Sequence, residues 1–295
     1  MKRKFLAALL ALVTVISALS LSSCGEKSEY PVQIGKTVIN SEPENIVILN
    51  KNLADIISCI GYDIKLAGRS DEVNQKGMEV VPSVGAASNP STDKIIKLKA
   101  DMVFADESLN SKAKSDLEAK GVTVITPESA ASVKELKALY RQLGSILGGS
   151  ITGKEKGAEA FDSLYESLKD VRDAVDDKGI VRTICYLYYD GKMRTMNSGT
   201  WGCEMLGFTG ASNVFKNEKS DVVNLKTLKL SNPDFIFCGD MRVVNYLRKK
   251  PAFKNLSAIK KNIHIIRLDE INAQGDSALD TLRKMLKHMY PEDFS

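Results

Sequence analysis

Histidine is almost missing from this chain of 295 residues: it has only His264 and His288. A metal site built from several imidazoles is therefore excluded. Tryptophan occurs once, at Trp201, and aromatic residues make up 6%. None of the five cysteines forms C-x-x-C, which leaves zinc ligation without support. Buried free thiols at Cys59, Cys185, Cys203 and Cys238 are the first reading of those residues, and one disulfide in the C-terminal half is the second. Net charge of either sign is small as well. The formal net charge is +4, and Lys2, Arg3 and Lys4 carry three of those charges. A near-neutral remainder argues against nucleic acid as a partner, because a phosphate backbone is held by a basic field. No G-x-S-x-G elbow is present, so hydrolase chemistry has no foothold. What remains is 43% apolar and 26% charged, an ordinary globular composition with room for about two domains.

The N-terminus reads as an export signal over residues 1–23. Lys2–Lys4 precede an apolar run from Phe5 to about Ile16, which then becomes smaller and more polar over Ser17–Ser23. Leu21-Ser22-Ser23-Cys24-Gly25 resembles the bacterial lipobox, in which the cysteine receives diacylglycerol and becomes the new N-terminus. Cys24 is the expected lipidation site. Residues 24–36 are the expected linker, with polar Gly25–Val32 as its leash. The chain is then extracytoplasmic and lipid-anchored to the membrane, on its outer face or periplasmic side, where nucleotide cofactors are scarce. Gly148–Lys154 fits G-x-x-x-x-G-K, but Glu155 stands where a phosphate loop needs Ser or Thr for magnesium. The segment also follows a helical pattern, so a turn between two helices is expected there.

Strand and helix alternate along the chain. Short apolar runs at Ile46–Leu49, Ile64–Ala67, Val81–Gly85, Asp101–Asp106 and Gly121–Ile125 predict strands. Helices are expected at Leu53–Ile60, closed by Gly61, and at Thr92–Lys99 and Ser111–Lys120. The second half repeats the order: a strand at Val181–Tyr188, helices at Thr200–Leu206, Leu225–Leu230 and Phe253–Lys260, and strands at Asp234–Cys238 and Ile263–Ile266. This predicts an α/β protein of two Rossmann-like lobes with mostly parallel sheets. Between them, helical spacing over Val133–Leu147 and Lys154–Asp177 predicts a stiff connector, whose second helix is ~36 Å long at ~1.5 Å per residue. The division is an N-terminal lobe at 37–131, connecting helices at 132–178 and a C-terminal lobe at 179–295, with the long helix as the single crossing.

In open α/β sheets, ligands sit at the carboxyl ends of the strands. In the first lobe those ends offer Asn50, Lys51, Arg69, Ser70, Ser88, Asn89, Asp106 and Glu107. In the second they offer Tyr188, Tyr189, Asp190, Ser198, Trp201, Gly239, Asp240, Arg242, Gln274 and Asp276. Arg69 and Arg242 suit carboxylate or phosphate, and the aromatic residues offer flat faces to a ring. An acid pair such as Asp106 and Asp240 could act on glycosides, but strand-end acids more often contact a ligand. No catalytic residue, metal ligand or cofactor is expected.

Taken in order, several segments resemble the substrate-binding proteins of bacterial ABC importers for iron–siderophore, haem and corrinoid complexes. They are Glu44–Leu49 through Gly61, Val84-Gly85 with Asn89-Pro90-Ser91, Ile96–Val103, Leu147–Glu155, Pro251-Ala252-Phe253 and Leu256–Lys261. The resemblance implies two lobes joined by a backbone helix. It implies capture of a metal chelate by a monomer and delivery to a permease dimer with its ATPase. It also implies one docking acid per lobe for permease arginines, which fall here on Asp55 and Glu204. Ala86 and Ala87 stand where hydroxamate binders often carry Arg, and Arg69–Val73 lacks the aromatic of corrinoid binders, so the chelate stays open. A sensing or scavenging lipoprotein of the same fold, or an extracytoplasmic chelate-handling enzyme, is the alternative.

Overall fold

The computed structural model describes residues 28–176, 179 and 181–294; the export signal and Cys24 lie outside the described residues. A hairpin of β1 (Val32–Ile34) and β2 (Thr37–Ile39) comes first, and it straddles the expected start of the N-terminal lobe at 37. The first lobe is a parallel sheet of β3 (Ile46–Ile48), β4 (Leu66–Arg69), β5 (Met102–Phe104) and β6 (Thr123–Ile125), in the order β4-β3-β5-β6. Its helices are α1 (Lys51–Ile60), α2 (Thr92–Lys97) and α3 (Ser111–Glu118). Asn50 caps α1, its side chain accepting from Leu53 N, and Gly61 closes the helix. The Val81–Gly85 strand does not form. Pro82 has no N–H to give a ladder, and Ser83 makes one isolated bridge with Arg69.

Two helices then fold back on each other, α4 (Val133–Gly148) and α5 (Lys154–Asp176), around the tight turn Gly149–Gly153. Glycine is what lets them approach. A Cβ on Gly144 would lie 2.1 Å from the Gly153 carbonyl oxygen, and one on Gly157 would lie 2.3 Å from that of Tyr140.

The second lobe contains β7 (Thr183–Tyr189), β8 (Met193–Thr195), α6 (Trp201–Gly207), β9 (Ser212–Asn213), α7 (Leu225–Ser231) and β10 (Phe235–Cys238). It continues with α8 (Met241–Lys249), α9 (Ser257–Lys261), β11 (Ile263–Ile265), α10 (Leu268–Ile271) and α11 (Asp276–Met289). The sheet order is β11-β10-β7-β8; β8 is antiparallel, and β9 runs parallel to β7.

Side chains alternate across each sheet with period two, and this sorts them into three cores. Ile46, Ile48 and Phe104 of the first sheet and Ile184, Tyr186 and Phe237 of the second face one central core. Helices α1, α4, α5, α6 and α11 contribute to that same core. The intervening residues face outward, Val47 and Val103 into one outer core and Cys185, Ile236 and Cys238 into another. Each buried Leu or Ile contributes about 1.5–3 kcal/mol relative to exposure, so the lobes share much of their stabilisation. Cys59, Cys185, Cys203 and Cys238 are all free, the last three buried.

The long helix joins the lobes as expected, and contacts from the C-terminal segment reinforce the joint. The chain returns after β11, and its final segment packs on the first lobe. Asn52 Nδ2 donates to Asn272 O (3.0 Å), Tyr140 OH to Gln274 O (2.9 Å) and Gln274 Nε2 to Ala130 O (2.7 Å). No local pattern announces these bonds, because they join residues far apart along the chain.

The two histidines meet. His264 in β11 and His288 in α11 stack with ring centroids 3.9 Å apart, and His264 Nε2 is buried without a partner. Burial, then the neighbouring His288, pushes His264 down to about 4. Between about 6.5 and 4 the unfolded chain therefore takes up a proton that the folded chain refuses. Stability is full at pH 7 and falls as pH drops through that window. The ring is half-buried, so a discounted loss of about 1–2 kcal/mol is expected. His264→Phe should remove that part of the acid sensitivity in urea melts at pH 7 and 4.5, and an unchanged pH slope would refute the assignment.

Candidate functional site

The carboxyl ends of the first sheet open into a hollow of about 450 Å³. Asn50, Lys51, Ser88 and Asp106 line it, with Glu72 and Ser108. The second lobe contributes Asp269, from α10, to its lining. Asn50 works twice: its Oδ1 caps α1, while its Nδ2 donates to Asp106 (2.7 Å). Ser108 N donates to the other Asp106 oxygen (2.9 Å). Partial burial pushes the Asp106 carboxyl up, but the bonds from Ser108 and Asn50 outweigh it and hold the group ionised, below the usual carboxylate range.

Asp269 is the charge that joins the lobes. Arg267 grips it with two parallel bonds of 2.9 Å, and Lys51 of α1 reaches it at 2.9 Å. Arg267, then Lys51, holds this carboxyl far below its usual range. The sequence reading missed Arg267 and Asp269. Their signal was the position just past β11, another strand end in the second lobe.

The second lobe has its own hollow of about 370 Å³, lined by Tyr189, Met193, Arg242, Val243 and Tyr246 at the ends of β7 and β10. Asp240 caps α8 through Arg242 N (2.7 Å) and pairs with the Arg242 guanidinium, which holds its carboxyl below the usual range. Tyr188 is half-buried, and Tyr189, Asp190 and Ser198 are exposed. Gly239 packs against Tyr188. Asn89 lies beside the first hollow, accepting from Asn110 Nδ2 (2.9 Å). Glu107 and Asp276 are exposed.

Several expected contacts are not available to a ligand. Ser70 is fully buried and donates to Leu49 O (3.0 Å). Arg69 spends its guanidinium on the carbonyls of Met78 and Ser70. Trp201 is 3% exposed, with its indole N–H on Ala273 O, so it presents no face to a ring. Gln274 is buried on Ala130 O. Asp55 is corrected as well. It is 8% exposed and accepts from Ser277 N (3.1 Å), so it stitches the lobes together and offers no charge to a permease. Glu204, in the first turn of α6, is half-buried and keeps an outer surface.

A larger hollow, about 730 Å³, is elsewhere, on the outer side of the α4–α5 hairpin and away from the strand ends. Among the described residues no group of three His, Cys, Asp or Glu side chains could hold a metal ion.

Two α/β lobes over a shared helical layer, with hollows at the strand ends of each, define a binding protein of the two-lobed solute-receptor class. The chain belongs to the periplasmic binding protein family, whose model matches residues 46–271. It is 25% identical over 314 residues to an uncharacterized ABC transporter substrate-binding lipoprotein, YvrC, of Bacillus subtilis (strain 168), covering 95% of this chain and 96% of that one. It is 26% identical over 279 residues to the Fe(3+)-citrate-binding protein YfmC of the same organism, covering 85% and 84%. A crystal structure from Staphylococcus epidermidis, described as a possible iron-binding (periplasmic solute-binding) protein, has the same fold. Its TM-score is 0.72 at 19% identity, over 85% of this chain and all of that one.

Proposed function

We propose that this protein is the extracytoplasmic substrate-binding component of an ABC importer, anchored through Cys24. It takes up a metal chelate of the iron–siderophore, haem or corrinoid kind and delivers it unchanged to a permease dimer with its ATPase. The observation that carries this reading is the strand-end hollow of the first lobe, to which Asp269 is added from across the lobe boundary. The family and the relatives named above support it. Such a hollow grips cargo by fit and hydrogen bonds, and its acids Asp106, Asp269 and Glu72 already accept from Asn50 and Ser108, from Arg267 and Lys51, and from Ala87 N.

A thermal-shift panel of ferric siderophores, haem and corrinoids tests the reading, followed by absorbance spectra of any chelate that binds. A raised melting temperature with an unaltered chelate spectrum is the expected result. No response from any member of the panel, with the protein folded, would sink it. Asp106→Ala should weaken the responding chelate about 10–100-fold, since hydrogen bonds to a charged group are worth about 1.5–3 kcal/mol; equal affinity would remove Asp106 from the site. Glu204→Lys should lower cellular uptake while leaving affinity unchanged, and undiminished uptake would withdraw Glu204 as a docking acid.

A further inference from the structure

The G-x-x-x-x-G-K segment is an anion nest after all, and the protein fills it with its own carboxylate. Glu29 accepts from Ile151 N (2.8 Å), Thr152 N (3.0 Å) and Thr152 Oγ1 (2.5 Å), at the turn that opens α5. Ser150 N donates to Glu29 O (2.9 Å), and Tyr30 OH donates to Ile146 O (3.0 Å). The chain is thus fastened to the tip of the α4–α5 hairpin from Glu29 onward. The leash expected over Gly25–Val32 is cut to a few residues. At no more than about 3.6 Å per residue, the stretch from Cys24 to Ser28 reaches about 14 Å.

From that tip, the 730 Å³ groove runs along α4. The helix rises about 1.5 Å per residue, so Val133 to Ser145 spans about 18 Å. Lys134, Lys137, Arg141 and Lys154 line the groove, and no acidic side chain does; Asp162 meets Lys137 from its edge at 2.7 Å. The floor is apolar, with Ile34, Val133 and Phe161. Ile151, 40% exposed, projects at the tip. Cationic walls over an apolar floor suit the headgroup region of an anionic lipid surface.

We infer that this groove rests on the anionic lipid surface to which the chain is anchored. The Glu29 clamp delivers the hairpin tip within reach of the bilayer, and Lys134, Arg141 and Lys154 then engage the headgroups. The occupant is a phospholipid surface and not a soluble anion, because the tether ends there. The anchor belongs to the functional reading above, so the test separates the two.

The mature chain is bound to vesicles of phosphatidylcholine, or of phosphatidylcholine with phosphatidylglycerol, and its lysines are labelled with an amine-reactive reagent and read by mass spectrometry. Labelling of Lys134 and Lys154 should fall at least threefold on the anionic vesicles and return in high salt. Lys112, on α3, should label equally on both. Lys134→Glu with Arg141→Glu should abolish the protection of Lys154 at an unchanged melting temperature. Equal labelling on both vesicles, or the same protection from inorganic phosphate without vesicles, would overturn the inference. The same masses report whether Cys24 is acylated. If it is not, the anchor reading fails by itself, and the soluble chain with anionic vesicles still decides the groove.

Discussion

Gly144→Ala is expected to destabilise the protein by about 1–3 kcal/mol or more, the cost of forcing atoms into a packed interior. The added Cβ would sit 2.1 Å from the Gly153 carbonyl, and backbone cannot swing aside as a side-chain end can. At about 2–4 °C per kcal/mol for a chain of this size, the melting temperature should fall several degrees. The matched control is Gly207→Ala at the end of α6, where nothing lies within 4 Å; it should be neutral or slightly stabilising. Equal melting temperatures for the two variants would mean that the hairpin helices are not held at contact distance. This matters beyond stability, because the same hairpin carries the Glu29 clamp at its tip and the lobe-spanning α5 on its far side.

Asp55→Lys should unfold or nearly unfold the protein, at a cost above about 3 kcal/mol, because it places an unpartnered cation in a closed joint. Asp55→Ala should cost about 1–2 kcal/mol, since the N-terminus of α11 loses the acceptor for Ser277 N. Asp55→Asn keeps an acceptor and should stay near wild type at pH 7. Burial raises the Asp55 carboxyl above the usual aspartate range. Just above that range the unfolded chain has released a proton that the folded chain still holds. Stability attributable to this group is therefore greatest at low pH and declines as pH rises through the raised value. The asparagine variant should lack that decline, and a wild-type slope in its urea melts would refute the account. Lost uptake in a charge reversal here would report a broken fold and say nothing of a permease.

Much of this architecture could be read from local pattern. The run Ile46-Val47-Ile48-Leu49 announces a strand covered on both faces, and it is one. Asn50 and Gly61 bracket α1 in the sequence as they do in space. The failures share a cause. Asp55 looked like a surface acid because nothing near it in the chain says that Ser277, 222 residues away, covers it. Trp201 looked like a ligand platform for the same reason, until Ala273 is seen to take its N–H. Arg267 and Asp269 went unnoticed because a charged pair two residues apart is common on surfaces, and only Lys51 arriving from the other lobe gives it meaning. Val81–Gly85 was a misreading of apolar content, since Pro82 withholds the donor a ladder needs.

Three buried cysteines and the half-buried Cys59 turn the protein into a gauge of its own opening. A thiol attacks only as thiolate, and burial pushes Cys59 and Cys238 up to about 12. At neutral pH an alkylating reagent then finds almost nothing to react with until a part of the molecule comes apart. Cys59 lies in the joint between lobes, while Cys185 and Cys238 lie in the outer core of the second lobe. Their separate alkylation rates would therefore time two different events, the parting of the lobes and the melting of one of them.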